Sequence, residues 1–185
     1  MKLIKIIIFL LITFNTSLKA NLNNDLQNLL NEGEKLIFIR HAHAPGSGDP
    51  KDFNLIKCST QRNLGERGKL QALKIRKFFE NDINLISEVI SSEWCRCKET
   101  AEIAFKKYKT KYFLNSFFDD RYAKNKSKQI IDLKRYVNKA KKKSNLVLIT
   151  HYVVISELVN YSPLSGEIVV TDKNYNLVKS FKISY

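Results

Sequence analysis

The sequence predicts an α/β fold, a mostly parallel sheet with helices on both faces. Three observations point there. Two short apolar runs, Leu36-Ile37-Phe38-Ile39 and Leu146-Val147-Leu148-Ile149, have the length and composition of buried strands. Between them, helical periodicities alternate with further short apolar runs, the order that builds a parallel sheet. Both runs also stop on a histidine: His41 follows Arg40, and His151 follows Thr150. In open α/β sheets ligands bind at the carboxyl ends of the strands. Two of the three histidines in the chain are therefore expected at one place.

The first twenty residues stand apart. Lys2 and Lys5 precede Ile6-Ile7-Ile8-Phe9-Leu10-Leu11-Ile12, and a polar tail runs from Thr13 to Ala20. This is the layout of a signal peptide over residues 1–20, with cleavage after Ala20. An uncleaved membrane anchor is the alternative, although the apolar core is short for a span. Either way export is expected, to a periplasmic or envelope-associated location, and residues 21–185 form one domain.

Asn21 to Asn31 places Leu22, Leu26, Leu29 and Leu30 at helical spacing, and Gly33 stops it before the first strand. A long polar stretch from Ala44 to Arg62 follows, leaving directly from Arg40-His41, which suits a loop that covers a ligand. Asn63 to Ile83 reads as a helix burying Leu70, Leu73 and Phe78. Val89-Ile90-Ser91-Ser92 is a short strand. A helix from about Cys95 carries Cys97, Ala101, Ala104, Phe105 and Tyr108 on one face. Tyr112-Phe113-Leu114 is a third strand candidate. Ile130, Leu133, Val137 and Ala140 keep the helical period. After the Leu146 strand comes a helix over Val153 to Val159, and Glu167–Thr171 and Leu177–Ile183 form a terminal hairpin around Asp172-Lys173-Asn174-Tyr175-Asn176.

The formal net charge is +14; without Lys2, Lys5 and Lys19 it is +11, 29 cations against 18 anions. Such a balance favours anionic surfaces, including weak association with an envelope. The lysines are spread, and the alternation of basic and aromatic residues that grips single strands is missing, so no nucleic acid is expected. Three cysteines in an exported domain suggest a disulfide between Cys58 and either Cys95 or Cys97. A Cys-x-Cys with one distant Cys is poor zinc-ligand spacing, so neither metal nor cofactor is expected.

Arg40, His41, Arg96 and His151 all fall at strand ends or just beyond. Two guanidiniums and two imidazoles on one sheet edge would form a cationic pocket. Arginine forks match phosphate oxygens in pairs. The starts of the helices at Cys95 and Val153 would add backbone donors. A neutral imidazole with one free ring nitrogen can attack phosphorus, so the set suggests phosphoryl transfer through a phosphohistidine.

These residues match a family pattern. Arg40-His41-Ala42 resembles the Arg-His-Gly/Ala signature of the histidine phosphatase superfamily, whose fold is the phosphoglycerate-mutase-like three-layer sandwich. Arg62-Asn63-Leu64-Gly65-Glu66-Arg67-Gly68 resembles the segment that opens its first helix. Ser91-Ser92-Glu93-Trp94-Cys95-Arg96-Cys97-Lys98-Glu99-Thr100-Ala101 resembles its Ser-Ser-x-x-x-Arg-x-x-x-Thr-Ala block. Thr150-His151 resembles the second-histidine motif, and Gly166-Glu167 the late strand entry. The resemblance spans nearly the whole of residues 21–185. It implies that His41 is the phosphorylated nucleophile, that Arg40 and Arg96 bind the phosphate with Arg62 as a further pocket residue, and that His151 stabilises the transition state. A small phosphorylated substrate and phosphatase activity follow. A non-catalytic phosphate- or polyanion-binding protein on the same fold is the alternative.

Two departures bear on the proton. Where the mutase-like branch has Glu after the third strand, this chain has Ser116; where the acid phosphatase branch has His-Asp, it has His151-Tyr152. Asp119 or Asp120 would have to donate from a shifted position, unless no acid is needed or both are surface caps. His43 is expected at the rim.

Overall fold

The structure is a computed structural model that describes residues 24–185; the expected signal peptide lies outside the described residues. A six-stranded sheet runs through the middle in the order β3-β2-β4-β1-β5-β6. Its strands are β1 (Leu36–Arg40), β2 (Glu88–Ser91), β3 (Lys109–Thr110), β4 (Leu146–Thr150), β5 (Ile168–Thr171) and β6 (Leu177–Phe181). The first four are mutually parallel, and β5 and β6 are antiparallel additions at the β1 side. Helices α1 (24–32), α2 (Glu66–Phe78) and α3 (Cys95–Phe105) cover one face; α5 (Lys126–Asn138) and α6 (Tyr152–Val159) cover the other. A short helix, α4 (Asp120–Ala123), precedes α5.

Alternation along β1 explains the three layers. Ile37 and Ile39 pack with Val147, Ile149, Leu26, Ile75, Phe79 and Ala101 on one face. Leu36 and Phe38 pack with Leu146, Leu148, Leu133, Val137 and Ile155 on the other. Successive side chains of a strand point to opposite faces, so an unbroken apolar run is what a strand covered on both sides requires.

Two expectations are corrected. Tyr112–Leu114 is a 3-10 turn, and the third parallel strand is the two-residue Lys109–Thr110 at the sheet edge. Phe113 and Leu114 are still buried, so the apolar signal marked packing without strand pairing. On α2, Leu70 and Leu73 are exposed and Phe78 is half-buried, whereas Gly68, Gln71, Ala72 and Ile75 face inward. At Gly68 the helix comes so close to the chain after β1 that no side chain fits. A Cβ on Gly68 would lie 1.9 Å from the His43 carbonyl oxygen. Gly68→Ala must therefore move α2 or the strand end. We expect a loss of at least about 3 kcal/mol, a drop of roughly 6 to 12 °C in Tm by calorimetry. A variant melting with the wild type would contradict this packing.

Candidate active site

The parallel register gathers the site. Arg40 lies beside Thr150 and Ser91 beside Ile149. Just past the strands the His41 amide donates to the Thr150 carbonyl (2.9 Å) and the Ser92 amide to the Ile149 carbonyl (2.9 Å). His41, Ser92 and His151 thus leave three neighbouring strands at one level. Thr100, one turn along α3 from Arg96, accepts the Ala42 amide (3.0 Å) and donates to the Arg96 carbonyl (2.7 Å), which ties α3 to the end of β1.

The two imidazoles meet edge to face with centroids 5.4 Å apart, and both are buried. His41 Nδ1 lies 2.8 Å from the Ala42 carbonyl oxygen. A carbonyl can only accept, so Nδ1 carries the proton and the Nε2 lone pair is left for chemistry. The Arg96 Nε donates toward that Nε2 at 3.2 Å. His151 is held through Nε2, 3.0 Å from Ser92 Oγ, with Cys97 Sγ at 3.5 Å. Ser92 also donates to Asn115 Oδ1 (3.0 Å), and Asn115 donates to Glu93 (2.7 Å). The serine proton is thereby committed to Asn115, so His151 Nε2 donates to Ser92 and its tautomer is fixed.

Burial pushes both histidine pKa values well below the ordinary imidazole value, and the Arg96 charge adds to it. Both rings are therefore neutral at pH 7. The unfolded chain takes up protons near pH 6.5 that the folded chain refuses, so stability is fully present above that pH and falls as the pH is lowered through it. We expect the urea midpoint to fall between pH 7 and 5, each ring contributing up to about 1.4 kcal/mol per pH unit. His151→Asn should flatten the slope; a pH-independent midpoint would contradict neutral burial.

The rings open into a cavity of about 410 Å³ lined by Arg40, Arg62, Arg96, Asp49, Ser116 and Tyr152 among others. Arg40 donates from Nη1 to the Pro163 carbonyl (2.9 Å) and lies over the Tyr152 ring, 5.3 Å from its centroid. Its Nε is buried without a partner among the described residues. Arg62 is wrapped by its own loop, donating to the carbonyls of Gly48 (2.8 Å) and Ala44 (2.6 Å). The four expected residues and Arg62 thus border one cavity. The amide expected from the start of α3 is otherwise engaged, because Cys95 donates to Gln61 Oε1 (2.9 Å). His43 reaches the cavity wall and stacks on Tyr185 (4.5 Å).

The acid candidates separate. Asp119 borders the cavity but caps α4 and takes the Arg121 side chain at 2.8 and 2.9 Å. These bonds bring its pKa down to about 2, so it holds no proton to give. Asp120 is exposed in the first turn of α4 and does not border the cavity. A carboxylate that the sequence did not single out, Asp49, accepts the Arg96 Nη1 at 2.9 and 3.1 Å. It also accepts Trp94 Nε1 (3.1 Å) and the Arg62 amide (3.0 Å). Burial, the largest single influence, works to raise its pKa; the Arg96 charge together with the hydrogen bonds from Arg96, Arg62 and Trp94 leaves it lowered.

Cys58 and Cys95 form a disulfide that pins the long loop to the start of α3, one residue from Arg96. Closing a loop of 37 residues restricts the unfolded chain by roughly 4 kcal/mol in the chain-entropy account. Cys97 is a buried free thiol pushed up to about 12 by desolvation, which keeps it un-ionised and inert.

No family model matches the sequence, and no curated protein sequence matches it. Solved structures do. TTHB049 from Thermus thermophilus is similar with a TM-score of 0.56 and 16% identity over 81% of this chain and 99% of that one. The protein histidine phosphatase SixA complexed with tungstate gives 0.55 and 15% over 81% and 96%. Phosphoglycerate mutase, also from Thermus thermophilus, gives 0.54 and 17% over 81% and 99%. The fold is the phosphoglycerate-mutase-like α/β sandwich that these structures share.

Proposed function

We propose that the chain is a phosphatase that hydrolyses a small phosphomonoester or phosphoramidate through a phosphohistidine on His41. The observation that carries this reading is the fixed tautomer of His41, whose Nε2 lone pair faces the Arg96 guanidinium and the second imidazole in a cationic cavity. In the first step the Nε2 lone pair attacks phosphorus and the bond to the leaving group breaks. In the second, water attacks phosphorus, the P–N bond breaks and the electron pair returns to Nε2. Arg40, Arg62 and Arg96 offset the charge of the transferring group, and His151 packs edge to face on the nucleophile.

The state of the carboxylates bears on the substrate. Asp119 is held ionised by Arg121 and Asp49 is engaged by Arg96. Groups that need no proton from the protein fit best: aryl phosphates, which leave as stable oxyanions, and phosphoramidates, whose nitrogen takes its proton from solvent. The Cys58–Cys95 disulfide fits an oxidising compartment and so supports export. Phosphorylated envelope sugars are then one accessible class.

The test is a panel of phosphate compounds spanning leaving-group basicity, assayed at several pH values with His41→Ala as control. We expect hydrolysis that falls steeply as the leaving group becomes more basic, and none in the variant. Phosphate binding with no hydrolysis across the panel would favour a binding protein instead.

A further inference from the structure

The geometry points to Asp49 as the positioning residue that aims Arg96 at the phosphoryl group; this rests on the phosphatase reading above. A guanidinium offers a fork on one edge, Nε with Nη2, and Nη1 at the opposite corner beside Cδ. Nε of Arg96 addresses His41 Nε2 at 3.2 Å, so the fork edge faces the nucleophile. Nη1 is taken from behind by both oxygens of Asp49, with the Arg62 carbonyl at 3.4 Å. Nη2 has no protein acceptor among the described residues and completes the fork toward the cavity. Asp49 is the only carboxylate ion-paired with Arg96 among them, and the pair is largely buried.

Asp49 is fixed in turn. Trp94 Nε1 holds one of its oxygens and the Arg62 amide the other. The loop carrying it winds around the Arg62 side chain through the Gly48 and Ala44 carbonyls. One carboxylate thus couples both arginines to the indole that flanks His151 at 5.3 Å. A carboxylate behind the guanidinium does not touch the reacting atoms; it acts by fixing the direction of the fork. Because that role passes through Arg96, it must vanish when Arg96 is absent.

The experiment is a double-mutant cycle on the full chain with Asp49→Asn and Arg96→Gln. It reads kcat/KM for p-nitrophenyl phosphate and an alkyl phosphate, and Kd for orthovanadate by calorimetry. We expect Asp49→Asn alone to lower kcat/KM and vanadate affinity by about 10- to 100-fold, equally for both leaving groups. On Arg96→Gln it should cost less than about threefold. Asp49→Glu, which keeps the charge, should recover more activity than Asp49→Asn; it also serves if the asparagine variant fails to fold, since its loss too must shrink in the Arg96→Gln background. Independent, multiplicative losses would overturn the assignment. So would unchanged activity in Asp49→Asn, or a loss confined to the alkyl ester, which would mark Asp49 as a proton donor. If the wild type hydrolyses neither ester, the phosphatase reading fails while the vanadate cycle still decides the role of Asp49.

Discussion

On the phosphatase reading, His41→Ala is expected to abolish turnover while leaving the cavity able to hold phosphate. The loss expected is at least about 1,000-fold in kcat, because removing a covalent nucleophile deletes the route and not merely part of its stabilisation. The arginines proposed to bind the anion are held by other groups: Arg40 by Pro163 and the Tyr152 face, Arg62 by its own loop, Arg96 by Asp49. Inorganic phosphate should accordingly bind the variant within a few-fold of the wild type. The pair of measurements matters, since a variant that had simply unfolded would lose both. A variant that keeps a tenth of the wild-type rate would remove His41 from the chemistry.

The second large effect is expected at Arg96. This side chain is buried, addresses His41 with one nitrogen and satisfies Asp49 with another. On the same reading, Arg96→Ala is expected to remove transition-state charge stabilisation worth roughly 100- to 1,000-fold in kcat/KM. It also leaves the Asp49 carboxylate enclosed without its counter-charge, and breaking a buried pair in this way costs about 3 to 5 kcal/mol. Arg96 also helps burial hold down the His41 pKa. The variant should therefore show an acid limb of its residual rate displaced toward higher pH. Arg96→Lys is not equivalent, because an ammonium cannot present a fork to two oxygens while reaching back to Asp49. Urea unfolding and pH–rate profiles check both halves; full stability with full activity in Arg96→Ala would refute the account of the site.

What could be read in advance depended on how a residue does its work. The Leu36 and Leu146 runs were legible because a strand buried on both faces has no room for polar side chains, and their terminal histidines inherit the sheet register. The Leu70 and Leu73 positions misled for the opposite reason. They keep an apolar helical period, but the close approach of α2 to the backbone at His43 turned the small face of Gly68 and Ala72 inward. Lys109–Thr110 left no trace of a strand, since a two-residue edge strand with both side chains exposed has no alternation to show. Asp49 sits in Gly46-Ser47-Gly48-Asp49-Pro50, where every residue type is accounted for by turn formation. Its pairing with Arg96 is a contact across 47 residues that no local pattern records. Asp119 and Asp120 show the converse: the resemblance left them as either shifted acids or surface caps, and the fold uses Asp119 as a helix cap.

The most direct measurement is to quench the wild-type reaction within milliseconds, using substrate labelled on phosphorus, and to map the label. The account predicts close to one phosphoryl group per chain, stable to alkali and lost in acid, on the peptide containing His41, and no label in His41→Ala. Rapid hydrolysis with no protein-bound phosphoryl group, or a label on any other side chain, would contradict it.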